Sequence, residues 1–497
     1  MSRTGSLVGL DVGTSGARAV AVDLRGHVVA SASEAYPLST PRPGWTEQDP
    51  EDWWAASLQV LGRVASDLKE PPLGLGLTGQ MHGSVFLDEA DRVIRPALLW
   101  SDQRTAQQCE AITEKVGGQR LVEITGNPAI TGFQAPKILW LRDNEPAAYA
   151  RVRHVLLPKD YVRLRLTGER ATDVSDASGT LMLDLRGRRW SDEILEALEI
   201  PRAWLPDLHE GPDIAGTIRA ASADATGLPA GLKVAAGGGD NAASAVGNGI
   251  VREGLVSSSI GTSGVVFAHS ETARIDPLGR LHAFCHAVPG RYHLMGVTLS
   301  AGGSLRWWRD VMGGALDYDA MSDLAAGAPP GSEGLLFLPY LSGERTPHLD
   351  PRARGMFAGL TLRHTRAHLT RAVMEGVTYS LKDCLDVMAE LGLPMTEIRA
   401  TGGGARSLLW RRLQADVFGL PVHRAATEEG PAFGAALLAG VAAGVYADVF
   451  EACSVIKMRP EVDAPDPDRH RLYEQYHSAY TDLYATTAAL VHRLADL

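Results

Sequence analysis

Leu7-Val8-Gly9-Leu10-Asp11-Val12-Gly13-Thr14-Ser15-Gly16-Ala17-Arg18-Ala19-Val20-Ala21-Val22-Asp23 is an apolar run, a glycine-flanked hydroxyl turn and a second apolar run. The runs predict two buried strands, and the turn joins them as a hairpin. The tetrapeptide Gly-Thr-Ser-Gly returns at residues 261–264, behind Gly254-Leu255-Val256-Ser257-Ser258-Ser259-Ile260 and ahead of Val265-Val266-Phe267. Two such hairpins half a chain apart predict a duplicated domain with one phosphate-gripping loop in each half. Facing each other, the loops would hold a nucleotide triphosphate between lobes.

Around each hairpin the pattern alternates strand and helix. Asp49 reads as a cap with Pro50 at the first helical position, starting a helix that runs to about Leu68. Residues 73–78 predict a parallel strand ending at Gly79-Gln80-Met81-His82-Gly83, and residues 97–100 another. A helix opens at Leu156-Leu157-Pro158-Lys159-Asp160-Tyr161, and residues 171–179 read as a polar loop. Val234-Ala235-Ala236 leads into Gly237-Gly238-Gly239-Asp240-Asn241, and the domain boundary falls near residue 245. The second half repeats the scheme. It has a helix from Gly303, a long helix over 368–391, a strand at 398–400 ending in Thr401-Gly402-Gly403-Gly404, and a helix from Pro467. Mixed α/β sheets flanked by helices follow for both halves.

Composition excludes some partners. The apolar share of 45% and charged share of 22% are those of a globular protein, and 497 residues suffice for two domains. A net charge of −11 argues against nucleic-acid binding but permits ATP, because loop amides and a metal supply local positive field. The four scattered cysteines predict free thiols in a reducing compartment. No leader pattern is visible, and the Gly/Ala-rich run 435–446 is too short to span a bilayer and reads as a tightly packed helix. A cytoplasmic protein without membrane partners is expected.

Asp11 sits at the end of an apolar strand, where a carboxylate is costly unless it meets a metal, water or amides. It reads as a Mg²⁺–water ligand or as a cap of the hairpin turn, and the second loop favours the metal. Asp240 follows three glycines at a strand-to-helix junction, where a carboxylate could take a proton from an attacking hydroxyl. A helix cap alone would not require the glycines. Ser300-Ala301-Gly302-Gly303-Ser304 and Thr401-Gly402-Gly403-Gly404-Ala405 are weaker glycine turns that admit a phosphate or a base.

With those residues in view, the chain resembles the FGGY family of carbohydrate kinases over essentially its whole length. Residues 11–16, 79–83, 157–161 and 237–243 carry the likeness, with Ser342-Gly343-Glu344-Arg345-Thr346-Pro347-His348 and residues 402–407. The resemblance implies two ribonuclease-H-like (actin-like ATPase) domains flanking a deep cleft. It implies a sugar-binding domain over 1–245 and a nucleotide-binding domain over 246–497, with ATP and Mg²⁺ as cofactors. Asp240 would then be the base on the sugar's terminal hydroxyl, and Asp11 the carboxylate near the metal and phosphates, with Asp240 also beside the metal. Met81, His82, Asp240 and Asn241 would contact the sugar. Thr14, Ser15, Gly261, Thr262, Gly302, Gly403 and Gly404 would contact the nucleotide. Met81-His82 stands where glycerol kinases place Arg-Glu, which implies a larger, less charged pocket and a small ketose as substrate. A homodimer is allowed. Gln134, in Phe133-Gln134-Ala135-Pro136-Lys137-Ile138-Leu139-Trp140, departs from the family's usual Ser, Thr or Pro, and is expected to affect local packing only. Residues 313–330 carry no recognisable motif.

Overall fold

The computed structural model describes residues 5–427 and 429–495. The first hairpin forms as predicted, from β1 (Ser6–Val12) and β2 (Gly16–Asp23), with Asp11 opposite Arg18. β3 (Val28–Ala35) extends it antiparallel, and β4 (Gly74–Gly79) lies parallel on the other side of β1. β5 (Ile214–Thr217) and β6 (Lys233–Gly239) complete a sheet of order β5-β6-β4-β1-β2-β3.

The second sheet holds β7 (Gly254–Ile260), β8 (Gly264–Ser270), β9 (His282–Cys285), β10 (Tyr292–Thr298), β11 (Met395–Thr401) and β12 (Val422–His423). Its order is β9-β10-β8-β7-β11-β12. In each sheet the leading strand has an antiparallel hairpin partner on one side and a parallel strand on the other. Thus β3-β2-β1-β4-β6 matches β10-β8-β7-β11-β12, and the duplication read from two tetrapeptides is a duplication of topology. Two α/β domains of mixed sheet with flanking helices result, as in actin-like ATPases.

Local chemistry sets the helix ends. Asp49 accepts from the Glu51 amide, and the helix Pro50–Asp67 starts where the cap and proline predict. The Gly/Ala-rich helix is Gly430–Ala442, and it crosses from the second half onto the first sheet. A Cβ at Gly9 would lie 1.8 Å from the Ala432 carbonyl oxygen, and one at Gly434 1.8 Å from that of Ala243. Backbone therefore rests on backbone, which explains a helix with so little side chain. Among the described residues no helix is long and apolar enough to cross a membrane. Cys109, Cys285 and Cys384 are buried free thiols, and Cys453 is a half-buried one.

The sequence-level expectations need two adjustments here. The helix read from Leu156 begins at Pro158, because residues His154–Leu156 pair as a short strand with Val85–Leu87. The strand read over 97–100 is only Ala97–Leu98, paired with Glu47–Gln48.

Burial makes the fold acid-sensitive. It holds His269 and His348 at about 4, His82 and His293 at about 3, and His282 and His286 well below the ordinary value. The unfolded chain takes up these protons near pH 6.5 and the folded chain only lower. Their contribution is therefore fully present above pH 6.5 and is lost as pH falls towards 4. Burial also raises Asp11, Asp176, Asp240, Glu344 and Asp383, which offsets part of the loss. The histidines outnumber them, so unfolding free energy falls on acidification by on the order of 1–2 kcal/mol per pH unit. Urea titrations at pH 7 and pH 5 measure this, and equal or greater stability at pH 5 would contradict it.

Candidate active site

Asp11 is the penultimate residue of β1, and Asp240 opens the helix Asp240–Gly247 directly after β6. The Asp11 Oδ1 atom is buried and has no hydrogen-bond partner among the described residues. Burial, then the Asp240 charge, push Asp11 up to about 7 against the pull of Arg18. Burial also raises Asp240 to about 6, although the Asn241 backbone N and Nδ2 donate to its Oδ1 at 2.7 and 2.9 Å. A desolvated carboxylate beside a second carboxylate, with an oxygen unpartnered, is a place for a hard cation. At the first turn the Trp100 indole donates to the Thr14 hydroxyl at 3.0 Å, while Ser15 is exposed.

Met81 and His82 lie beside this pair. Met81 is buried, and a Cβ at Gly239 would stand 2.8 Å from its Cγ, so the last residue before Asp240 must be small. His82 has φ of 66°, a left-handed backbone that a side chain disfavours. Three contacts hold it there. Its Nδ1 lies 2.7 Å from the Gly179 carbonyl, the Lys137 Nζ donates to the His82 carbonyl at 2.8 Å, and Gln134 Nε2 donates to the Gly83 carbonyl at 3.0 Å. A carbonyl only accepts, so the proton sits on Nδ1 and Nε2 keeps a lone pair. Burial holds the ring neutral.

Gln134 is therefore not remote from the motifs, as expected from sequence, but braces the Met81–Gly83 turn. Lys137 is fully buried and pushed down to about 7 by burial, and its role was not read from the sequence at all.

Behind Asp240 lies a charged core that sequence reading placed in a polar loop. Residues 171–179 are instead a buried strand, Ala171–Asp173, and a buried helical turn, Val174–Ala177. Lys159 Nζ sits 2.6 Å from Asp160, 2.8 Å from Asp173 and 3.4 Å from Asp176, with all four side chains fully buried. Arg163 donates to the Ala235 carbonyl at 2.8 Å and to that of Ala236, on β6. Ser175 Oγ donates to Asp173 and accepts from the Gly239 amide at 3.2 Å. The cluster thus fixes the strand end that presents Asp240.

In the second half, Gly261, Thr262, Gly302, Gly403 and Gly404 line one cavity of about 550 Å³. The close fit is between loops, since a Cβ at Gly302 would lie 2.4 Å from the Gly261 carbonyl oxygen. Asp317, Tyr318, Asp319 and Ser322 also line it, from the segment in which no motif was recognised. The only sequence signal there is Asp317, which caps the helix Tyr318–Ala326.

The fold is that of a carbohydrate kinase. Residues 6–247 match the N-terminal domain, and residues 256–443 the C-terminal domain, of the FGGY family of carbohydrate kinases, and the chain belongs to that family. It is a carbohydrate kinase, a phosphotransferase. It is 41% identical to a xylulose kinase of Lactococcus lactis subsp. lactis, over 99% of this chain and 98% of that protein. The crystal structure of a xylulose kinase from Rhodospirillum rubrum is 33% identical with a TM-score of 0.92, covering 98% of this chain and 100% of that one. A gluconate kinase structure from Lactobacillus acidophilus is 27% identical with a TM-score of 0.94, covering 99% of this chain and 100% of that one.

Proposed function

We propose that this chain transfers the γ-phosphoryl group of ATP to the C5 hydroxyl of D-xylulose, giving D-xylulose 5-phosphate and ADP in D-xylose catabolism. Residues 1–245 form the sugar domain and 246–497 the nucleotide domain, each ribonuclease-H-like. The observation that carries the reading is the neutral His82 acceptor beside Met81, packed under Gly239 next to Asp240. The same fold is found in a gluconate kinase, so the fold does not choose the sugar; the side chains at this wall do.

In this reading the sugar lies along Met81 and His82 with its terminal hydroxyl at Asp240. Asn241 occupies Asp240 Oδ1 and leaves Oδ2 to accept the hydroxyl proton as the oxygen attacks phosphorus. Mg²⁺, which the family uses with ATP, would be held by Asp11 and Asp240 through water and would neutralise phosphate charge. The unpartnered Asp11 Oδ1 fits that cation. Thr14, Ser15, Gly261 and Thr262 grip phosphates from the two hairpins, and Gly302, Gly403 and Gly404 seat the nucleotide. Closure of the lobes excludes water and suppresses ATP hydrolysis.

Coupled ADP release with D-xylulose, D-ribulose, glycerol and gluconate tests the assignment. The kcat/KM for D-xylulose is expected to exceed every other by at least about tenfold. A higher value on D-ribulose moves the assignment to a sister kinase, and sugar-independent ADP release rejects a sugar kinase altogether.

A further inference from the structure

The second half of the chain brings two polar groups to the wall around His82 that no step above uses. His282 opens β9, is buried, and has Nδ1 2.8 Å from Asn127 Oδ1. Asn127 Nδ2 donates to the Thr125 and Ala283 carbonyls, each at 3.0 Å, so its Oδ1 is the acceptor. The His282 proton is therefore on Nδ1 and Nε2 keeps a lone pair, as in His82. Phe133 stands edge-on to both imidazoles, 4.8 Å from His82 and 5.8 Å from His282 between ring centres. Among the described residues neither Nε2 has a protein partner.

The complementary donor is Arg345. It follows Glu344, whose carboxylate is already occupied by Thr298 Oγ1 at 2.7 Å, the Leu299 amide at 2.9 Å and the Arg345 amide at 2.7 Å. Among the described residues the Arg345 guanidinium has no carboxylate within ion-pair range and no hydrogen-bond partner, although the residue is half-buried. Geometry seats it beside them: the next residue, Thr346, donates from Oγ1 to the Arg280 carbonyl at 2.8 Å, two positions before His282, and from its amide to the Val297 carbonyl on β10 at 3.0 Å. The Arg345 charge accordingly lowers both His82 and His282. A desolvated cation left unpaired is costly, and a ligand oxygen would complete it.

We infer that Arg345 donates to the C2 carbonyl oxygen of an open-chain ketose, while His82 Nε2 and His282 Nε2 accept from neighbouring hydroxyls, so that Arg345 is the residue that reads a ketone. The inference rests on the ketose reading above. The chemistry requires such a donor. A 2-ketopentose closes its furanose ring through O5, so transfer to O5 takes the open chain, with C2 present as a carbonyl. A carbonyl oxygen only accepts, and two imidazole lone pairs cannot serve it. A pentitol carries a hydroxyl at that carbon, which can satisfy either kind of partner.

The test compares Arg345→Met and Arg345→Lys with the parent chain by calorimetric binding of D-xylulose, D-ribulose and D-arabinitol, with melting temperature as a fold control. Arg345→Met is expected to weaken the preferred ketose about ten- to a hundredfold and D-arabinitol less than about threefold. Arg345→Lys keeps a donor and is expected to fall between, which covers a fold defect in the methionine variant. A merely structural role would move ketose and pentitol together. Equal weakening of both, weakening of neither, or a parent that binds no pentitol overturns the inference alone. A parent that binds neither ketose overturns the ketose reading and this inference with it. Preference for D-ribulose corrects only the stereochemistry.

Discussion

Asp240→Ala is expected to fold as the parent does and to lose phosphoryl transfer by about three to four orders of magnitude. The two halves of that expectation have one cause. Asp240 is desolvated, and its carboxyl sits at about 6, so the fold carries it at a cost. Removing it relieves that cost, and the melting temperature should not drop. The same desolvation leaves a base close to the operating pH, and among the described residues no other carboxylate is placed to replace it. Asp11 is the nearest candidate, but its unpartnered oxygen suits a cation. Asp240→Asn keeps the shape and removes the base, so it should lose nearly as much. Binding of the nucleotide itself, seated by Gly302, Gly403 and Gly404, should survive both changes, while the share of Mg²⁺ that Asp240 would hold is weakened. Single-turnover transfer at near-parental rate in either variant would remove Asp240 from the chemistry.

How much of this could be seen in the sequence follows from the range of the interactions. The hairpins, the Asp49 cap and the glycine-to-Asp240 junction are local patterns, and each formed within a residue or two of where it was read. The residues that hold the site are not local. Lys137 reaches the carbonyl of His82, 55 positions away, from a helix whose sequence looks like ordinary packing. Residues 171–179 are polar and read as a loop, because their compensating cation, Lys159, lies on another element. His82 adopts a backbone that its residue type disfavours, which no propensity would suggest. The segment around Asp317 and Tyr318 has no periodicity tied to the cavity it lines. Sequence thus exposed the chemistry-bearing ends of strands, and left out the supports beneath them.

Those supports give the second large effect. Lys159→Met is expected to cost about 3–5 kcal/mol of unfolding free energy at pH 7, because it strands carboxylates in a fully buried site. Arg163 compensates only in part, since it contacts Asp160 at 3.3 Å, directs Nη1 and Nη2 to the Ala235 and Ala236 carbonyls, and leaves Nε without a hydrogen-bond partner among the described residues. Burial already raises Asp176, and the Lys159 ammonium is what pulls it back. Removing that pull raises Asp176 further above its unfolded value, so the variant gains stability relative to the parent as pH falls. The deficit in urea midpoint should therefore shrink between pH 7 and pH 5, opposite in sign to the histidine effect that both chains share. Activity should respond as well. The cluster holds Ser175 against the Gly239 amide, and a loosened Gly239 misplaces Asp240, so kcat should fall further than sugar affinity. An unchanged urea midpoint, or a deficit that grows on acidification, would mean that Lys159 is not the counter-ion of this cluster.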